Sequence, residues 1–150
     1  MDLPKYQLSA ESSLAVFEFV SIGPKGRIKK LVKFSETHLN DVYNLGFGDK
    51  IKQSNEIDDL AISNNNDSEK VLATVVSAIY AFTDKNTEAW IYATGSTNAR
   101  TRLYRMGINK HYDKAMEDFE IYGLKDDQWV NFKKNTDFDA FVIRRLKNRL

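Results

Sequence analysis

Apolar and polar positions alternate with period two over much of this chain, and one long central block switches to helical spacing. Leu14 to Ile22 reads LAVFEFVSI, dense in β-branched and aromatic residues and stopped by Gly23-Pro24-Lys25-Gly26, which predicts a strand entering a turn. From Arg27 to Phe34, Ile28, Lys30, Val32 and Phe34 share one parity; Arg27, Lys29, Leu31 and Lys33 share the other. The pair is therefore expected to be a hairpin with one largely apolar face and one wet, basic face. Val42 to Gly48 sets Tyr43, Leu45 and Phe47 against Asn44, Gly46 and Gly48, and small residues on the second face admit a ligand or another backbone. Glu56 to Ile62 is the fourth expected strand.

Ser63 to Ser68 is a polar break that doubles as a helix start, with Asn66 or Asp67 as cap and Glu69 in the first turn. Val71, Leu72, Val75, Val76, Ile79, Tyr80 and Phe82 then recur at helical spacing and are expected to carry core. Ala89 to Thr94 is a fifth strand, followed by an arginine-bearing helix to about Met106 with Gly107 as its C-terminal cap. Lys110 to Asp118 suits a second short helical segment. Phe119 to Leu124 and Trp129 to Phe132 suit a hairpin around Lys125-Asp126-Asp127, and Phe138 to Leu146 a last strand. No internal repeat or low-complexity linker interrupts this order. The expectation is a single α+β domain over residues 1–150, a mostly antiparallel twisted sheet of about six to eight strands with two main helices, in the order β-β-β-β-α-β-α-β-β-β.

Composition narrows the chemistry. The 150 residues are 42% hydrophobic and 12% aromatic, enough for a proper core, and 22 basic against 21 acidic residues leave no global attraction to nucleic acid or an anionic membrane. The absence of cysteine removes disulfides, thiolate nucleophiles and cysteine zinc sites, and two histidines leave little for a histidine metal site, so no metal is expected. No segment approaches the roughly 20 apolar residues of a membrane span, and the default location is cytoplasmic.

Polar chemistry concentrates between Trp90 and Ile108, WIYATGSTNARTRLYRMGI. A strand feeding a helix through Gly95, Ser96, Thr97 and Asn98 presents free N–H groups and the positive end of the helix dipole, and Arg100 and Arg105 add guanidinium donors. These six residues form the candidate ligand-binding set, for an anion such as a phosphate or carboxylate. The competing reading makes Ser96 or Thr97 a plain cap and pairs the arginines with acids such as Asp113 or Glu117. Glu56, Asp58 and Asp59 form an acidic cluster suited to a hard cation or a general base, in which Asp58 or Asp59 falls on a largely covered face and needs a cation or backbone donors; the plainer and favoured reading is solvated acids on an edge strand. His111 beside Tyr112 and Asp113 is the one place for a proton shuttle, although a lone histidine near a helix start is commonly a surface residue. Trp90, Tyr92, Tyr122 and Trp129 fall on strands and suit core or cross-strand packing better than base stacking.

Two resemblances bear on these residues. FEFVSIGPKGRIKKLVKF, VYNLGFGD, SEKVLATVVSAIYAFT and TGSTNARTRLYRMGI resemble a family of small bacterial proteins known only as a domain of unknown function, which implies no activity. More distantly, the element order and the segment RTRLYRMGI, Arg100 to Ile108, are similar to the GNAT acyltransferase superfamily. That resemblance implies that Tyr104 protonates a departing coenzyme A thiolate and that the strand around Asp58 to Ile62 hydrogen-bonds the pantetheine arm. Where the superfamily wraps a pyrophosphate at the start of its long helix, this chain carries Asp67 and Glu69, which repel an anion.

The leading expectation is a non-enzymatic binding domain for an anionic small molecule or protein, with no cofactor named. The alternatives are a diverged acyltransferase using Tyr104, Asp58 and Asp59, and a nucleic-acid-binding module using Arg27, Lys29 and Lys33, joined by Lys25 and Lys30. No membrane partner is expected.

Overall fold

The structure is a computed structural model that describes residues 5–10, 15–58, 65–94 and 98–146. It is an α+β fold with nine strands, mostly antiparallel, and three helices among the described residues. The chain divides into two compact units, Met1–Ser35 with Gly46–Phe82, and Glu36–Leu45 with Thr83–Leu150.

In the first unit β1 (Ser9–Ala10) pairs with β2 (Val16–Gly23), and β2 forms the expected hairpin with β3 (Gly26–Glu36). β4 (Val42–Lys50) contributes its second half here and pairs with β5 (Ile57–Asp58); the rest of the expected fourth strand, from Asp59 on, lies outside the described residues. The register sets Phe17 opposite Val32, Phe19 opposite Lys30 and Ser21 opposite Ile28, so these six share one face. Against that face lies α1 (Ser68–Lys85), with Phe82 stacked on Phe34 at 4.2 Å between ring centroids. Asp67 stands at its cap position, its carbonyl accepting the Val71 N–H at 2.9 Å.

Two expectations for the hairpin need correction. Lys30 is not part of a solvated basic face: it is 5% exposed, and its Nζ lies 2.6 Å from Asp49 Oδ1 and 5.7 Å from the Phe47 ring centroid. Its apolar parity was the true signal, and a buried ammonium requires the carboxylate beside it. Leu31, expected on the wet face, is fully buried. It stands opposite Glu18, whose carboxylate takes the Lys50 ammonium at 2.7 Å, so this face carries a neutralised ion pair rather than a row of solvated cations.

In the second unit the first half of β4 runs parallel to β6 (Trp90–Ala93). α2 (Asn98–Lys110) and α3 (Tyr112–Asp118) follow, then β7 (Phe119–Lys125), β8 (Gln128–Asn131) and β9 (Ala140–Arg145). The pairing order is β6-β9-β7-β8, antiparallel throughout. α2 does not end at Met106: Gly107 is buried inside it, and the Gly107 carbonyl still accepts the His111 N–H at 3.2 Å. Packing of that buried turn outweighs the roughly 1 kcal/mol helix penalty of glycine. The β7–β8 hairpin is as expected, but its turn is tighter than Lys125-Asp126-Asp127: Lys125 pairs with Gln128, leaving Asp126 at φ 51° and Asp127 at φ 62°, the left-handed pair that a two-residue hairpin of this twist requires.

Ile91, Ala93, Ile121, Phe141 and Ile143 all face one way and are buried, and Phe132, Phe138 and Phe141 pack on one another at 5.5 to 6.0 Å between ring centroids. Gly123 sits so closely under Phe138 that an added Cβ would overlap its ring. Gly123→Ala is therefore expected to destabilise the chain by about 1–3 kcal/mol through overpacking. Urea unfolding checks this, with a shifted midpoint at unchanged slope.

Candidate functional site

The connection expected to bind an anion lies between β6, which ends at Ala93, and α2, which begins at Asn98. Gly95, Ser96 and Thr97 lie outside the described residues, as do the side chains of Asn98 and Arg100, whose backbone opens α2. The first turn of α2 contains no acidic residue, so no carboxylate of its own opposes an anion there. On the strand side, Thr94 Oγ1 donates to the Asp139 carbonyl at 3.1 Å.

Arg105, a candidate ligand donor, is half-buried and ion-paired with Asp137 rather than with Asp113 or Glu117. Its Nε is buried with no hydrogen-bond partner among the described residues. Burial of its stem and a neutralising acid explain the difference: this arginine ties α2 to the segment before β9. Arg102 is exposed. Lys114 is the cation near Glu117 and Asp118, at 4.0 and 3.5 Å.

The residues assigned to proton transfer fall in different units. Tyr104 belongs to the second and is 8% exposed. Asp58 belongs to the first, is half-buried on β5 and stands opposite Asp49, the carboxylate that holds Lys30. Asp59 lies outside the described residues. His111 is half-buried at the start of α3, its carbonyl accepting the Ala115 N–H at 2.9 Å. Among the described residues no three histidine or carboxylate side chains converge as a metal site would require, and no helix is long and apolar enough to cross a membrane.

A different surface stands out on the second unit. Pairing puts Trp90, Tyr92, Glu120, Tyr122, Leu124, Val142, Arg144 and, on β8, Trp129 on the face opposite the phenylalanine core. Trp129 is 45% exposed, and Trp90, Tyr92 and Tyr122 are half-buried. They pack across strands, Trp90 on Tyr122 at 6.0 Å and Tyr92 edge-on to Trp129 at 6.1 Å between centroids. Ala140 of β9 has the parity of Val142 on this face, and its small side chain leaves room for Tyr92 and Trp129 to meet across the intervening strands. The Arg144 guanidinium lies 4.3 Å from the Trp90 ring centroid, and its Nη2 donates to Glu120 Oε2 at 2.9 Å. Cross-strand packing was the expected role of these aromatics. Parity separates positions 90, 92, 122, 142 and 144 from Ile91, Ile121, Phe141 and Ile143 within each strand, and the strand pairing puts the first set on one shared face.

The first unit holds a buried polar network instead. Asp67 Oδ2 accepts from Tyr6 Oη at 2.6 Å and from Ser21 Oγ at 2.5 Å. Asn65, almost fully buried, donates to Ser21 Oγ and the Gly26 carbonyl and accepts from the Lys25 N–H at 2.7 Å. Gly23 is required beside it, because a Cβ there would run into the Asn65 carbonyl oxygen. With its donors and acceptors matched to one another, this network fastens the β2–β3 turn to the start of α1.

Over residues 2–146 the chain matches a family of unknown function, DUF6934. It belongs to that family. No curated protein and no solved structure matches it. The family match covers nearly the whole chain and carries no link to the acyltransferase superfamily.

Burial, then the hydrogen bond to Asp67, hold the Tyr6 hydroxyl above its ordinary pKa. An unfolded tyrosine ionises near pH 10 while the folded one resists, so this stability is complete below about pH 10 and is lost as pH rises beyond it. Tyr6→Phe is expected to cost about 1.5–3 kcal/mol at pH 7, the usual range for a hydrogen bond to a charged group, and to flatten the decline above pH 10. Denaturant titrations at pH 7 to 11 measure both.

Proposed function

We propose that this chain is a non-enzymatic binding domain for an anionic small molecule that also carries a planar group. The observation that carries this reading is the face opposite the core, where Trp90 packs on Tyr122 and Tyr92 on Trp129, with the Arg144 guanidinium over Trp90. Aromatic rings half-open to solvent offer a planar group area and π contact, and little side-chain entropy is lost in ordering them. The same strand that carries Trp90 and Tyr92 leads, within a few residues, to Gly95, Ser96, Thr97, Asn98 and Arg100. The acid-free first turn of α2 supports an anion there.

The alternatives draw less support. Tyr104, which an acyltransferase reading needs as its acid, is buried, 8% exposed. Engagement of Lys30 by Asp49 removes one cation from the proposed nucleic-acid surface, leaving Arg27 and Lys29 as its exposed members on β3.

Both tryptophans of the chain lie on the proposed face, so intrinsic fluorescence reports on it directly. Titration with adenosine monophosphate is expected to quench that emission saturably, with inorganic phosphate competing. Arg100→Ala is expected to weaken binding about tenfold or more, as loss of a charge-assisted contact does, with unchanged circular dichroism. Absence of any saturable change at millimolar nucleotide overturns the reading, and a saturable response to polyglutamate alone replaces the small molecule with a protein carboxylate. Thermal stabilisation by acetyl-coenzyme A, with turnover of an amine, would instead favour the enzyme.

A further inference from the structure

We propose that the outer edge of β8 pairs with β8 of a second copy of this chain, antiparallel, to form a twofold-symmetric dimer. Among the described residues β8 is the last strand of its sheet, with β7 on one side and no strand on the other. All four of its residues, Gln128, Trp129, Val130 and Asn131, are exposed, with Trp129 at 45% and Val130 at 37%. Edge strands are normally protected by a charge, a proline or a bulge along the edge, and β8 carries none of the three within Gln128–Asn131.

The hairpin decides which amides are available. Lys125 and Gln128 flank a two-residue turn and so form the narrow, doubly hydrogen-bonded pair, which directs the backbone groups of Gln128 and Val130 inward to β7. Phe132 continues the pattern, its N–H donating to the Ile121 carbonyl at 3.1 Å. Trp129 and Asn131 therefore present their N–H and C=O groups outward. An antiparallel partner that uses them places Trp129 opposite the second copy's Asn131, with the two Val130 residues meeting on the axis.

Charge selects the occupant and the direction. Asp126 and Asp127 precede β8, Lys133 and Lys134 follow it, and all four are exposed. In the register set by the outward amides, the turn carrying Asp126 and Asp127 faces the segment after β8 of the second copy, where Lys133 and Lys134 lie, Lys134 with its ammonium 4.9 Å from its own Tyr112 ring centroid, and the twofold axis repeats the match at the other end. Parallel pairing would set acid beside acid and base beside base. A strand with acids before it and bases after it is complementary to itself only when reversed, which points to a second copy.

The test uses the full chain in light scattering after size exclusion, with amide exchange. Wild type at about 100 μM is expected at twice the chain mass, with concentration-dependent protection of the Trp129 and Asn131 amides beyond that of the monomer. Lys133→Glu with Lys134→Glu opposes like charges at both ends and is expected to weaken the dimer at least about tenfold. Val130→Lys, which sets two ammonium groups on the axis, is expected to leave a folded monomer. Mixing the doubly charge-reversed chain with a chain carrying Asp126→Asn and Asp127→Asn is expected to restore a heterodimer, because one end regains its attraction while the other is neutral. A monomeric wild type overturns the proposal, as does a dimer that survives both Val130→Lys and the charge reversal. A dimer in which Trp129 and Asn131 exchange as freely as in dilute protein also overturns it.

Discussion

Side-chain alternation along β6, β9 and β7 is the constraint on which the second unit depends. Ile91, Ile143 and Ile121 lie in register across three strands and point into the core; Trp90, Arg144 and Glu120 lie in register one residue away and point out. A slip of one residue in any strand would expose an isoleucine or phenylalanine and bury an ion pair, each worth kilocalories against the slip. Gly123 enforces the same registration from above, since the Phe138 ring occupies the volume where any other residue would place its Cβ. Core and outward aromatic face are therefore two consequences of one period.

The first unit meets a different demand, that of polar groups inside an aromatic layer. Lys30 lies across from Phe19 and over Phe47, and Asp49 makes its charge tolerable. Near the turn, Asn65, Ser21, Asp67 and Tyr6 satisfy one another in a chain of hydrogen bonds. Such groups add little net stability compared with apolar replacements, but leaving one member alone is costly, so the set specifies a single arrangement of turn, helix start and leading segment.

The strands, the long helix and the β7–β8 hairpin were legible because each has a clean period and turn residues that match their geometry, Gly23 to Gly26 and Asp126-Asp127 above all. The two residues of β1 were not, having no pattern to read in so short a run. Gly107 misled because a glycine near a helix end is ordinarily a cap, whereas here it is buried and the helix runs on past it. Lys30 and Leu31 misled in different ways: Lys30 stands on the apolar parity and only its residue type suggests a basic face, whereas parity sets Leu31 among charged neighbours although it is fully buried. For the candidate site, local pattern marks the aromatics as cross-strand partners, yet strand order, which no local pattern supplies, decides that four of them meet on one face. Spacing likewise offers Arg105 as a ligand donor and is blind to its pairing with Asp137, a residue far along the chain.

Edge and face belong to one geometry in the second unit. Directly opposed residues of antiparallel strands point to the same side, so an axis through Val130 would set Trp129 of both copies on the same side of the joined sheet. The surface built from Trp90, Tyr92, Tyr122, Trp129 and Arg144 would then continue across the axis, doubled rather than covered. An exposed tryptophan beside an uncharged edge is a liability in a monomer that works alone. In a dimer it serves twice, its backbone closing the edge and its indole extending a recognition face, and two sites on one side would let a repetitive or multivalent anionic partner bind with an effective concentration that neither copy reaches by itself.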